Sequence, residues 1–252
     1  MDGLLRLSEV SKSYVRGDRQ LRVMTDVSLT VAQRETVAIV GARYEGKTTL
    51  LRVAAGLDKP ERGEVWFEDL ELTRCAEQER VRLLGKEITW VDRGGTGVRL
   101  QVLDYVGLPL ALGRGHGRRQ ARELAMNALE RVGVADCARQ HWSDLSNWER
   151  VLVALARGIA PAPRLMVIDD LLDGLGMNRT RDVSDLLSSV IAELGCGVLL
   201  SVSDVEGALE ADRVFSFERA KLKLIAGQHD SSARVIAFPG EPRGGRGAGG
   251  RH

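Results

Sequence analysis

The 252-residue sequence sets 36 Lys and Arg against 35 Asp and Glu, a formal net charge of +1, with 44% hydrophobic and 28% charged residues. That length allows one large domain with a sizeable core, and the even charge balance gives no global argument for a nucleic-acid partner. No run approaches the ~20 apolar residues of a membrane span, the polar-broken start MDGLLRLSEVSKSY does not read as a signal peptide, and Cys75, Cys137 and Cys196, odd in number and without a CxxC pair, read as free thiols of a reducing compartment.

Along the chain, residues 4–10 and 23–31 alternate as half-buried strands do. Thr36–Val40 (TVAIV) is a continuous apolar run ending at Gly41, the pattern of a parallel strand buried on both faces. Residues 47–55 then read as a helix closed by Gly56, residues 60–63 as a turn, and residues 64–67 as a short strand. From about 100 to 160 the pattern is helical. Ala121, Leu124, Ala125, Ala128, Leu129 and Val132 share one face, with Gly133 at its end, and Ser146 is placed to cap a helix over 147–159. Two further apolar runs, RLMVI (164–168) and GVLLSV (197–202), flank a helix over 182–194. Strands alternating with helices imply a mostly parallel sheet, with the 100–160 block as a helical insertion. The tail from 238, FPGEPRGGRGAGGRH, has little to bury and reads as disordered.

The motif with most chemical content is GARYEGKT, residues 41–48, which fits GxxxxGK[ST] and sits between an apolar strand and a helix as that motif requires. Its glycines let the backbone wrap a phosphate chain, and successive amides and a helix N-terminus face anionic oxygens. Lys47 would reach β- and γ-phosphates and Thr48 would offer its hydroxyl to Mg²⁺. Asp169, at the end of RLMVI, is placed to hold the hydrated ion. His116, in a Gly/Arg loop, and His141 have no neighbouring motif that makes them ligands.

The order of segments resembles the nucleotide-binding subunit of ABC transporters from about residue 4 to 225. The likeness rests on SKSY around Tyr14, VAIVGARYEGKTTLLRVAAGLDKPERGEV, ITWV, LSNWERVLVALARGI, LMVIDD and LLSVSDVEGALEADRV. LRVMTDVSL, GLDKPERGEV and YVGLPL look most like the lipoprotein-release and macrolide-export type. The resemblance implies an α/β P-loop NTPase sheet with an N-terminal antiparallel β region and an inserted helical subdomain, spanning 1–226 and followed by a tail over 227–252. It implies ATP and Mg²⁺ as cofactors. Tyr14 would stack on adenine. Gly41, Ala42, Arg43, Tyr44, Glu45, Gly46, Lys47, Thr48 and Thr49 would surround the phosphates, and Thr48 and Asp169 would hold the metal. Ser146, Asn147 and Glu149, in the segment matching the signature motif, would face the nucleotide of an opposite subunit.

Departures from the family pattern point to weak hydrolysis. Tyr44 stands where the P-loop has Gly, which would cost ~1 kcal/mol or more at positive φ. The signature LSGG becomes Leu145-Ser146-Asn147-Trp148, and Trp148 has the bulk to obstruct a close approach to phosphate. Arg93 replaces the Q-loop Gln, Asp170 the catalytic Glu, Gly176 the D-loop Asp, and Ser203 the switch His. Arg93 reads either as a partner of the γ-phosphate or as a solvated loop arginine. Losing a positioned general base costs roughly 10²- to 10⁴-fold.

The function so implied is ATP-dependent coupling to an integral membrane permease. The chain would work as a homodimer or as a heterodimer with another ATP-binding subunit, peripheral on the cytoplasmic face of the membrane and without a nucleic-acid partner. Three alternatives stand beside it: a non-hydrolytic regulatory or scaffold protein using ATP as a structural ligand, the degenerate half of a heterodimer, and an unrelated P-loop kinase or GTPase. Residues 102–112, VLDYVGLPLAL, hold more apolar side chains than one buried helix face needs, which suggests a protein contact.

Overall fold

The computed structural model describes residues 3–94, 99–113, 115–208 and 210–227; the Gly/Arg-rich tail lies outside them. In chain order the elements are β1 (Leu5–Arg16), β2 (Arg19–Val31), β3 (Thr36–Val40), α1 (Lys47–Ala54), β4 (Arg62–Phe67), β5 (Leu70–Glu71), α2 (Glu77–Leu83), β6 (Ile88–Val91), α3 (Val102–Gly113), α4 (Arg118–Arg131), α5 (Asn147–Ile159), β7 (Leu165–Ile168), α6 (Met177–Leu194), β8 (Gly197–Val202), β9 (Arg213–Glu218) and β10 (Lys221–Gly227).

Two sheets result. One is antiparallel, in the order β2-β1-β4-β5; the other runs β10-β9-β3-β8-β7-β6. All neighbours in the second are parallel except the β9–β10 edge hairpin. The continuous apolar runs are explained by the burial of both faces of this sheet. Ala38 and Val40 face the cluster that holds α3 to α6, whereas Val37 and Ile39 face the cluster shared with α1 and the antiparallel sheet. The same alternation divides Met166 and Ile168 from Leu165 and Val167. A strand with two apolar surfaces to cover reads as an unbroken hydrophobic run.

Several boundaries differ from the sequence expectation. β1 and β2 form one long hairpin rather than two short strands, closed at Gly17 with φ +61° and interrupted by register shifts between Leu7 and Ser13. The polar stretch 11–22 extends the ribbon into solvent, where alternation gives no signal. α6 begins five residues earlier than its apolar pattern, because its first inward position is a polar residue, the buried Thr180. β9 and β10 went unpredicted: their turn is Arg219-Ala220, both at positive φ, without the Asn or Gly that usually announces such a hairpin. α1, α5 and β8 match their expected ranges, α5 behind a capping box of Ser146 and Glu149.

Candidate functional site

The loop between β3 and α1 can take only the shape its glycines allow. A Cβ on Gly46, at φ +108°, would lie 2.3 Å from Val23 Cγ1, and one on Gly41 would lie 2.6 Å from the Phe217 carbonyl oxygen. The loop is thus pressed against β2 and β9. Tyr44 occupies positive φ (+68°) with its ring fully exposed, which is the strained conformation expected of that position. No side chain caps the N-terminus of α1 and its first turn holds no acid, so its leading amides are open to an anion. Lys47 is buried, and its Nζ donates to the carbonyls of Gly41 (2.7 Å) and Ala42 (3.1 Å). Glu45 turns Oε2 inward beside Gly41, buried and without a hydrogen-bond partner.

Opposite this loop, β7 delivers Asp169 and Asp170. The Asp169 amide donates to the Val91 carbonyl (2.8 Å). Ser201, buried in the middle of β8, donates its hydroxyl to Asp169 Oδ1 (2.8 Å) and accepts from the Asp170 amide (2.9 Å). Burial pushes the Asp169 carboxyl above its ordinary value, with the Ser201 and Thr48 hydroxyls acting the other way. Asp170 has φ +45° and its Oδ1 lies 3.8 Å from Lys47 Nζ. Ser201 was missed at the sequence level. Its signal was a hydroxyl inside an otherwise apolar run.

Asp173 was missed too, and it is the hub of this region. Its carboxylate accepts from the Arg43 guanidinium and from the Ser203 hydroxyl (2.8 Å). The Arg43 contact holds the Asp173 carboxyl below the ordinary carboxylate range. Arg93 donates twice to the Leu171 carbonyl (both 3.0 Å) and also to the Asp173 carbonyl. Its guanidinium, on an exposed residue at the cleft wall, fastens the turn that follows β7.

Part of this set borders one cleft of about 580 Å³, lined by Tyr14, Leu21 and Val23 from the β hairpin, by Arg43, Tyr44, Gly46, Lys47, Thr48 and Thr49, and by Arg93, Asp170 and Asp173; Asp169, Ser201 and Ser203 are not among its lining residues. The size suits a nucleotide-sized ligand. Lys47, Thr48, an uncapped helix start and a half-buried acid, Asp169, fit a metal-bound polyphosphate. Ser146, Asn147 and Glu149 do not line it. Ser146 and Glu149 satisfy each other in the α5 capping box, Cys137 Sγ lies 3.5 Å from Glu149 Oε1, and Arg179 stacks 4.3 Å from the centre of the half-buried Trp148 ring. Asn147 is exposed at the start of that helix.

Comparison with known proteins agrees with this architecture. Residues 24–172 match the family model described as ABC transporter. The lipoprotein-releasing system ATP-binding protein LolD of Bordetella pertussis is 32% identical over 220 residues, covering 87% of this chain and 95% of the relative. LolD of Coxiella burnetii is 28% identical over 221 residues, with 87% and 95% covered. Among solved structures, the dimeric post-hydrolysis state of the ATP-binding cassette MJ0796 bound to ADP and Pi superposes with a TM-score of 0.79 at 25% identity, covering 86% of this chain and 96% of that one. With more than half of the chain matched by the family model and relatives covered over nearly their whole length, this chain belongs to the ABC transporter family.

Proposed function

We propose that this chain binds Mg-ATP in the cleft between the Gly41–Thr48 loop and the Asp169–Asp173 turn, and couples that binding to an integral membrane permease while hydrolysing ATP slowly. The observation that carries the reading is the convergence of Lys47, Thr48 and the uncapped α1 N-terminus on one side with the half-buried Asp169 and its partner Ser201 on the other. Tyr14, 41% exposed at the cleft wall, is the adenine platform. Residues 41–49 surround the phosphates. Thr48 and Asp169 would hold Mg²⁺, which supplies charge neutralisation of the phosphates when bound. The segment Ser146, Asn147 and Glu149, away from this cleft, is assigned to the nucleotide held by a second ATP-binding subunit, identical or not. The relative bound to ADP and Pi is described as dimeric, which supports that arrangement.

Hydrolysis is assigned to Asp170, Ser203 and Arg93, and each is compromised. Asp170 is shorter than the family's Glu and sits at positive φ. Ser203 donates to Asp173. Arg93 is engaged by the backbone of the turn. The same three facts favour a second reading, in which the chain is the degenerate half of a heterodimer or a regulatory subunit that uses ATP structurally. No helix among the described residues is long and apolar enough to cross a membrane. The cassette domain, assigned to residues 1–226, is proposed to sit on the cytoplasmic face through its permease.

Calorimetry with Mg-ATP tests the nucleotide reading. Binding in the micromolar-to-millimolar range is expected, and Lys47→Ala should weaken it by removing the cation at the loop. No heat and no thermal shift at several millimolar Mg-ATP would rule out the nucleotide site.

A further inference from the structure

Resting on the nucleotide-site reading, we propose that Asp173 makes the lone chain discriminate against a nucleoside triphosphate and in favour of the diphosphate. Three cations line the cleft, and each already faces a protein acceptor. Lys47 lies on the Gly41 and Ala42 carbonyls beside Asp170, Arg43 is paired with Asp173, and Arg93 is bonded to the Leu171 and Asp173 carbonyls. The loop amides and the α1 N-terminus, which no side chain caps, are open to phosphate, with the Lys47 ammonium beside them and one of its three donors unspent on the Gly41 and Ala42 carbonyls. A diphosphate held there would leave the Arg43–Asp173 pair in place.

A third phosphate is different. With the base on the Tyr14–Leu21 side of the hairpin, where those two residues pair across β1 and β2, the terminal phosphate falls at the Lys47 and Arg43 end, beside Asp170 and Asp173. Drawing the Arg43 guanidinium toward it weakens the Arg43–Asp173 pair, and the Asp173 carboxylate then faces the added charge with less compensation, its remaining neighbours being Ser203 and Arg93. The Asp173 side chain is only 18% exposed, so water screens that repulsion incompletely. Asp173 therefore acts as a built-in competitor of the terminal phosphate for Arg43. The competition also reaches Ser203, because both donors share the one carboxylate.

The test measures Mg-ADP and Mg-ATP affinities side by side on the full chain, using wild type, Asp173→Asn and Asp173→Ser, with thermal melting to verify folding. Wild type is expected to bind Mg-ADP roughly tenfold more tightly than Mg-ATP, a ratio in line with one partly compensated charge in a partly screened cleft. Both neutral variants should strengthen Mg-ATP until the ratio approaches one, with Mg-ADP changed by less than about twofold. A wild type that prefers Mg-ATP overturns the proposal. So does an unchanged ratio in both variants, or a parallel loss of both nucleotides, which is what a purely structural Asp173 would give. Binding of neither nucleotide by folded wild type overturns the nucleotide-site reading itself, and is recognised by its absence of heat for ADP as well as ATP.

Discussion

Arg43 and Asp173 form an ion pair across 130 residues of sequence, joining the loop ahead of α1 to the turn after β7. The contact is a guanidinium on a carboxylate that also accepts from Ser203. Loop, turn and the end of β8 are thereby linked through one side chain. The pair therefore ties the loop that carries Lys47 to the turn that carries Asp170.

Its pH dependence has a definite sign. The folded Asp173 carboxyl titrates below its ordinary value of 3.8, chiefly because of Arg43. A depressed acid lends stability that is complete above the unfolded value and is lost as pH falls through the folded one. The melting-temperature difference between wild type and Asp173→Asn should be constant from neutral pH to about pH 5 and shrink below about pH 4. A difference that grows on acidification would contradict this assignment.

Turnover by the isolated chain should be slow. A typical rate of ~10 s⁻¹ falls to ~0.1 s⁻¹ or less when one positioned group is lost, and losses within one catalytic unit do not add. Asp170→Glu alone should recover little, because Ser203 remains bonded to Asp173 and Trp148 remains stacked by Arg179. Phosphate release at several per second from pure wild type would sink the impaired-hydrolysis reading.

The fold offers an independent check at Gly158, where α5 crosses β6. A Cβ there would meet Val91 Cγ2 at 2.4 Å and Met166 Cε at 3.3 Å. Gly158→Ala should therefore destabilise by ~1–3 kcal/mol as an overpacked core does, whereas the same change on an exposed helix stabilises. Thermal unfolding decides between these signs.

How much of this could be read beforehand depended on the kind of signal. β3, α1, α5 and β8 were legible because apolar runs, a Ser146 cap and a Gly56 stop are local features. The β9–β10 hairpin was not, because Arg219 and Ala220 adopt positive φ without the residues that normally mark it. The loop motif and Asp169 were visible as a spacing. Asp173 and Ser201 were not, since their roles come from partners at separations of 130 and 32 residues that only the folded sheet brings together. Arg93 was visible as an oddity, but its bonds to the carbonyls of Leu171 and Asp173 are tertiary contacts that no local pattern announces.

The last prediction concerns the permease. Residues 102–112 were expected to expose an apolar surface, and the structure narrows that surface. Val102, Tyr105, Val106, Gly107 and Leu110 are buried, Leu108 is 39% exposed and Leu112 is 77% exposed. Leu100 and Leu108 border a depression of about 300 Å³ that also takes in Ala111, Arg118 and Arg122. Asp104 also lines it and pairs with Arg122 (3.4 Å), so the exposed leucines are what suit it to a helix with an apolar face. Placing a charge at Leu108 should remove that contact without touching the cleft at Lys47, since the two depressions share no lining residue. Leu108→Glu, co-expressed with the cognate permease, should leave the membrane fraction for the soluble one while retaining the wild-type heat of Mg-ATP binding. Wild type that fractionates as soluble beside its permease would refute docking through α3. Wild type that stays on membranes after their proteins are stripped would mean that lipid, not protein, holds it there.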